Sequence, residues 1–260
     1  MAGLSSADLA ALPSADVVAL TTAQLPLLST GALGGISTAE LVAMGTGQID
    51  ALGTAQVQAL TTAQVQALTT AQVQALGTAQ FKAMSTAQVQ ALSTAQVQAL
   101  GTSQVAALTS AQVAALGTAQ VNVLSTSQAD ALGTAGLSAL TSAQVTALGS
   151  AEVVALSTTQ FAALSTAGIS AVTTAELIAL STGDIAAMTT SQAMGLTTSD
   201  VLALTTSQIP ALATADIAAL STAQVQAFST SQLAAFTTSQ IPAFTSTQLA
   251  ALSSAQVSAL

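Results

Sequence analysis

The chain repeats one eight-residue unit about thirty-two times, without insertion or deletion, from Leu4 to Leu260. Leu52-Gly53-Thr54-Ala55-Gln56-Val57-Gln58-Ala59 is followed at once by Leu60-Thr61-Thr62-Ala63-Gln64-Val65-Gln66-Ala67. A fixed short period restricts the fold to a repeat architecture, in which each unit buries its apolar face on its neighbours. It also leaves few residues over from which an active site could be built.

We number the octad from its Leu as position 0. Position 0 is apolar throughout, with Ile36, Met44, Met84, Val172, Met188, Phe228, Phe236 and Phe244 replacing Leu. Position 5 is apolar too, as at Val17, Leu25, Ile49, Phe81 and Phe161, with Ala129 and Ala193 the weakest members. Position 2 is always Ser or Thr, and position 1 is Ser, Thr or Gly except at Pro13 and Ala213. Position 4 is Gln, Glu or Asp except at Ala32, Gly136 and Gly168. Positions 3 and 7 are small except at Leu27 and Val123, and position 6 accepts almost anything. Positions 0 and 5 are therefore expected in the core, positions 3 and 7 where another backbone comes close, and position 6 in solvent.

On a helix, position 5 and the next position 0 fall on one face at i, i+3. A continuous helix fails, because eight residues overshoot two turns by about 80° and the apolar stripe would spiral. The helix must break once per octad. Ser/Thr pairs followed by Gln, as in Thr61-Thr62-Ala63-Gln64, mark a helix start. Positions 1 and 4 have the capping-box spacing, yet the stricter hydroxyl at position 2 points to position 2 as the cap. The absence of Asp and Asn there suggests that this hydroxyl also donates to a carbonyl of an adjacent coil, or that close packing limits its size.

The expectation is an all-α solenoid of very short capped helices, one per octad, in a single uninterrupted array over residues 1–260. Burying two apolar side chains per octad does not by itself offset the entropy of fixing eight residues, so capping and inter-coil bonds must contribute. A β-solenoid is the alternative, since Val, Ile and Thr favour strands and Pro26, Pro210 and Pro242 at position 6 disfavour helix just before them. Against it, positions 5 and 0 have opposite parity, so no single strand buries both.

Composition narrows function. The chain has no His, Cys, Trp, Tyr or Arg, and Lys82 is its only base, giving a net charge of −9. That removes the basic footprint of a nucleic-acid binder and of a protein drawn to anionic membranes. Mean hydropathy is high at +0.70, but Ser, Thr and Gln interrupt every octad, so no run reaches the roughly 18 apolar residues of a spanning helix. The first residues, Met1-Ala2-Gly3-Leu4-Ser5-Ser6, lack the basic and apolar regions of a signal peptide. An extracellular location would need another export route, or the sequence is a segment of a longer chain.

The acids are the only candidates for catalysis or metal binding. Asp8, Asp16, Glu40, Glu152, Glu176, Asp184, Asp200 and Asp216 replace Gln at position 4, where a negative charge complements a helix start. Asp184, Asp200 and Asp216 recur every sixteen residues, and would stack into an acidic ladder if each coil held two octads. Asp50 and Asp130 sit at outward position 6. With no His, and Lys82 solitary, no nucleophile–base pair can be drawn. The position-1 glycines, among them Gly53, Gly77 and Gly101, follow the bend and not a phosphate-binding pattern. No catalytic, cofactor or metal site is expected, and the chain reads as a non-enzyme. Phe228, Phe236 and Phe244 read as a thicker stretch of core.

The unit L-[ST]-[ST]-A-Q-[VI]-x-A-L, clearest over Leu60–Leu100, resembles the octapeptide arrays of very large bacterial surface and adhesin-like proteins. The resemblance implies an extracellular structural segment. Function is then expected to be that of a stiff rod, stalk, spacer or filament subunit. Leu260 closes an ordinary octad and Met1 enters the pattern almost at once, which suggests uncapped ends and head-to-tail self-association. The alternative is binding to ice or another flat surface through the Thr/Ser rows.

Overall fold

A computed structural model describes residues 3–260. Among the described residues there are twenty-nine α-helices, three 3-10 helices and no strand, so the all-α expectation holds and the β-solenoid falls away. Most octads supply one helix, typically of six residues, as in Thr62–Ala67.

The helix begins one residue earlier than the hydroxyl pattern suggests. Thr61, at position 1, is the N-cap, with extended backbone (φ −70°, ψ 158°). Its Oγ1 accepts the Gln64 backbone N–H at 3.1 Å, and Gln64 Oε1 accepts the Thr61 N–H at 2.8 Å. This is a closed capping box. Thr62 is the first helical residue, which corrects the expected cap at position 2. The box needs cap and partner three residues apart, and the position-4 side chain fixes which residue that is. Glycine is tolerated at position 1 because Gln56 Oε1 still accepts the Gly53 N–H at 2.8 Å. At the other end Leu68 is extended (φ −54°, ψ 139°), so positions 0 and 1 together form the break between helices.

Proline at position 6 changes the helix type. Leu25–Leu27, Ile209–Ala211 and Ile241–Ala243 are 3-10 helices, each with its Pro inside. The proline ring crowds the preceding α turn, and the segment tightens to i→i+3 bonds such as Leu28 N–H to Leu25 O at 3.1 Å.

Helices three octads apart pack on one another: Thr38–Ala43 on Thr62–Ala67, and Thr62–Ala67 on Thr86–Ala91. The chain divides into two compact units, Met1–Leu132 and Gly133–Leu260. Both have the same internal plan. In the first, Val57 and Leu60 are buried together with their equivalents in neighbouring octads; in the second, Val225 and Phe228 take those places. Phe228, Phe236 and Phe244 meet edge to face, with ring centroids 5.2 and 5.0 Å apart, so position-0 side chains of successive octads meet in the core. Leu12, Leu249 and Val257 are exceptions at core positions and are exposed. Leu249 and Val257 have no later coil in this sequence to cover them.

Two spacing expectations separate. Position 7 does meet a neighbouring backbone: a Cβ on Gly35 would collide with the Ser6 carbonyl, and one on Gly195 would lie 3.3 Å from Thr166 O. Position 3 does not, since Ala55 and Ala63 are exposed. The second unit also contains two glycines in the left-handed region, Gly133 (φ 62°) and Gly149 (φ 86°). Gly149 follows Ser142–Leu148, a helix that runs one residue longer than its neighbours and must turn back sharply.

Candidate functional site: the glutamine ladder

The most organised polar feature is built from position 4. Most of these glutamines are buried; Gln72, Gln96 and Gln192 are no more than 2% exposed, while Gln24, Gln48 and Gln256 are half-buried. In most of them the carboxamide works in two directions. Its oxygen closes the capping box of its own octad, and its NH2 donates to the previous coil. Gln64 Nε2 donates to Leu33 O at 3.0 Å and Ile36 O at 2.8 Å, 31 and 28 residues back. Gln96 repeats this on Val65 O and Leu68 O at 3.0 and 2.7 Å. In the second unit Gln224 does so on Ala193 O and Leu196 O at 3.0 and 2.7 Å. A coil therefore holds between three and four octads.

The accepting carbonyls belong mostly to position 5, which also takes the N–H of the next position 0 (Leu68 N–H to Val65 O at 3.3 Å), and to that position 0, whose carbonyl lies beyond the helix end. One glutamine thus satisfies the amino end of its own helix and the carboxyl end of a helix in the coil before. Only a side chain that accepts and donates at once can do so. Capping accounts for half of this role from sequence; the inter-coil half carried no local signal.

Several carboxylates at position 4, among them Glu40, Glu176, Asp184 and Asp200, keep the first half and lose the second. Asp184 Oδ2 accepts from Ser181 N and Oγ at 3.0 and 2.7 Å, and Asp200 Oδ2 from Thr197 N and Oγ1 at 2.8 and 2.7 Å. A carboxylate cannot donate to a carbonyl. Glu176 finds a different partner: its Oε1 accepts from Ser150 Oγ of the preceding coil at 2.9 Å. The position-2 hydroxyl can thus bridge coils as expected, although here the acceptor is a carboxylate and not a carbonyl. Its size matters as well, since the Thr158 methyl lies 3.3 Å from a Cβ built on Gly183.

Asp216 is the discordant rung. It is 2% exposed, and among the described residues its Oδ2 is the buried side-chain polar atom left without a hydrogen-bond partner. Its cap residue is Ala213, which has no hydroxyl. Burial pushes the Asp216 carboxyl above the usual range, against smaller opposing pulls from the Thr190 hydroxyl and the Ala213 N–H. Glu40 is the opposite case: the Ser37 backbone N–H, and then the Ser37 hydroxyl, hold it below its ordinary value. Asp8, which is exposed, is lowered in the same way by the Ser5 N–H and hydroxyl.

Asp184, Asp200 and Asp216 do not stack, because a coil holds more than two octads. Among the described residues no three His, Cys, Asp or Glu side chains come together as metal ligands would. Glu152 is half-buried, and Asp16, Asp50, Lys82 and Asp130 are exposed on the surface. A shallow groove of about 350 Å³ runs beside Gln74, Gly77, Thr78, Gly101, Ser103 and Gln104, where two position-1 glycines one coil apart leave space. It brings hydroxyls and amides together but no acid or base.

The ALTTAQ repeat matches residues 28–62, 41–78, 54–85, 73–110, 102–134, 130–158, 177–214 and 209–246, well over half the sequence. The chain belongs to the ALTTAQ repeat family. Ala59-Leu60-Thr61-Thr62-Ala63-Gln64 spells the motif in this chain. Read on the structure, an ALTTAQ segment runs from the end of one helix, through the extended break and the cap, to the ladder glutamine. The family signature therefore covers the residues that join helices within a coil and join one coil to the next. No curated protein matches the chain.

Proposed function

We propose that this protein is a non-enzymatic structural element of a bacterial cell surface, a spacer or stalk built by coil-on-coil growth. The observation that carries the reading is the two-way glutamine, exemplified by Gln96, which makes each coil the template for the next. Such a device adds length without adding chemistry. The resemblance to octapeptide arrays of surface proteins supports the location, and the lone Lys82 argues against nucleic acid as a partner. No helix among the described residues is long and apolar enough to cross a membrane.

Negative-stain electron microscopy with light scattering tests the reading. Separate elongated particles of constant length are expected. Compact particles would overturn the spacer, and long fibres would replace it with a filament subunit.

A second reading rests on one observation: position-1 hydroxyls are used in capping, while the position-2 threonines Thr54, Thr78, Thr102 and Thr126, one stacking step apart, are exposed. A regular outward Thr row suits a flat crystalline surface such as ice. Thermal hysteresis measured on the purified protein tests it, and its absence removes this reading.

A further inference from the structure

Asp216 stands where the ladder is open on both sides. On its own side, Ala213 at position 1 offers no cap hydroxyl. Asp184 Oδ2 and Asp200 Oδ2 accept from the N–H and hydroxyl of Ser181 and Thr197, but Asp216 Oδ2 is buried with no such partner. On the side of the preceding coil, Gln208 and Gln224 donate to carbonyls 31 and 28 residues back. The equivalents for residue 216 are Ile185 O and Met188 O. Helix Thr214–Ala219 packs on Thr190–Gly195 as its counterparts do, so those carbonyls face position 216, and a carboxylate cannot donate to them. Burial raises this carboxyl, and the Thr190 hydroxyl opposes the rise from the preceding coil. Ser150 takes the same place against Glu176, also 26 residues on.

Oxygens therefore gather between the two coils with almost no hydrogen to share. Spacing bears on what could join them. The amide nitrogens of Gln208 and Gln224 lie 2.7–3.0 Å from their carbonyls. Aspartate is one methylene shorter, which withdraws its terminal atom by about 1.5 Å and leaves roughly 4.5 Å to the carbonyls. A direct hydrogen bond spans no more than about 3 Å. Two oxygens on one cation, at bonds of about 2.4 Å, span up to about 4.8 Å.

Charge narrows the ion. Helix Thr214–Ala219 packs on Thr190–Gly195 and on the 3-10 helix Ile241–Ala243, and neither contains an acid or a base. The unit Gly133–Leu260 has no Lys or Arg to act as counter-ion. One carboxylate among neutral oxygens balances one positive charge, whereas a divalent ion would leave net charge buried. We infer that Asp216 Oδ2, with Ile185 O, Met188 O and Thr190 Oγ1, forms a site for a monovalent cation of sodium size. The ion joins the two coils where the ladder lacks its amide.

The test melts the full chain at neutral pH in sodium chloride and in choline chloride of equal ionic strength. Sodium at ten times its dissociation constant should raise the melting temperature by on the order of 3–6 °C over choline, and the protein should broaden the sodium NMR line. Asp216→Gln puts the repeat's own amide in the site and so keeps the fold; both effects should disappear. Ala213→Ser supplies the cap hydroxyl that Asp184 has and should reduce the sodium increment by engaging Oδ2. Asp50→Asn, which removes an exposed charge, should leave the increment unchanged. The inference is overturned by equal melting in the two salts, by an increment that survives Asp216→Gln, or by one that Asp50→Asn also removes. Melting that responds to pH but not to sodium would give Oδ2 a proton instead, and a larger increment in calcium chloride would contradict the charge argument; either overturns it. These outcomes are independent of particle length, on which the spacer reading stands.

Discussion

Gln96 shows how much one residue can hold in this protein. Its side chain satisfies the Ser93 N–H, Val65 O and Leu68 O. Gln96→Ala leaves all three buried or half-buried groups without that partner, so a loss of about 2–4 kcal/mol is expected by chemical denaturation, on the order of 1 kcal/mol per group. Asp216 makes the converse prediction. Its carboxyl is raised by burial, so the folded form holds a proton that the unfolded chain gives up at the ordinary Asp value. This group's contribution is present below that value and is lost as pH rises from it towards the raised one. Asp216→Gln restores both the capping oxygen and the amide donor. The variant should melt at a higher temperature at neutral pH, with a flatter pH dependence over that window; an unchanged profile would show that the orphaned oxygen does not matter. Glu40 has the opposite sign, because its carboxyl is lowered, and its contribution is lost as pH falls through that lowered value.

At the scale of the element, a six-residue helix is too short to persist alone, so its ends decide whether it forms. With the cap at position 1, Thr61→Ala should cost about 1 kcal/mol, whereas Thr62→Ala removes no capping bond and should cost less. Reversal of that order in urea titrations would return the cap to position 2. Gly149 is a different kind of end, at φ 86°. A side chain there is strained by about 1–2 kcal/mol, and a built Cβ would lie 3.0 Å from Glu152 Oε2. Gly149→Ala should therefore destabilise the second unit, while Gly53→Ala, at φ −70° with only Gln56 Oε1 3.6 Å away, should not suffer that strain.

For the whole molecule, the ladder counts residues and not octads per turn. Bridging glutamines face carbonyls 28 and 30 or 31 residues back, as at Gln88 on Val57 and Leu60 and at Gln48 on Val18 and Leu20. Removing one full octad, residues 86–93, leaves each later glutamine facing equivalent carbonyls, so a native circular dichroism spectrum is expected with stability lower by about one repeat's share. Removing residues 86–89 shifts core positions onto the surface for every following coil that packs across the cut. That chain should lose helicity and cooperative unfolding. Equal tolerance of both deletions would contradict the register argument.

Much of this protein was legible in the octad. Apolar residues at 0 and 5, a hydroxyl-rich pair and a Gln three residues on predict short capped helices with Val57 and Leu60 inside, because periodicity and capping are local properties of the chain. Tertiary structure decided the rest. That Gln64 is buried and spans to Leu33 and Ile36, that Gly35 meets Ser6, and that Ile178 lies between Val154 and Leu202 all depend on how many octads fill a coil. That number is set by the angle at each extended two-residue break and by side chains meeting in the core. No single octad contains this information, because every octad reads almost the same whether its neighbour lies sixteen or twenty-eight residues away.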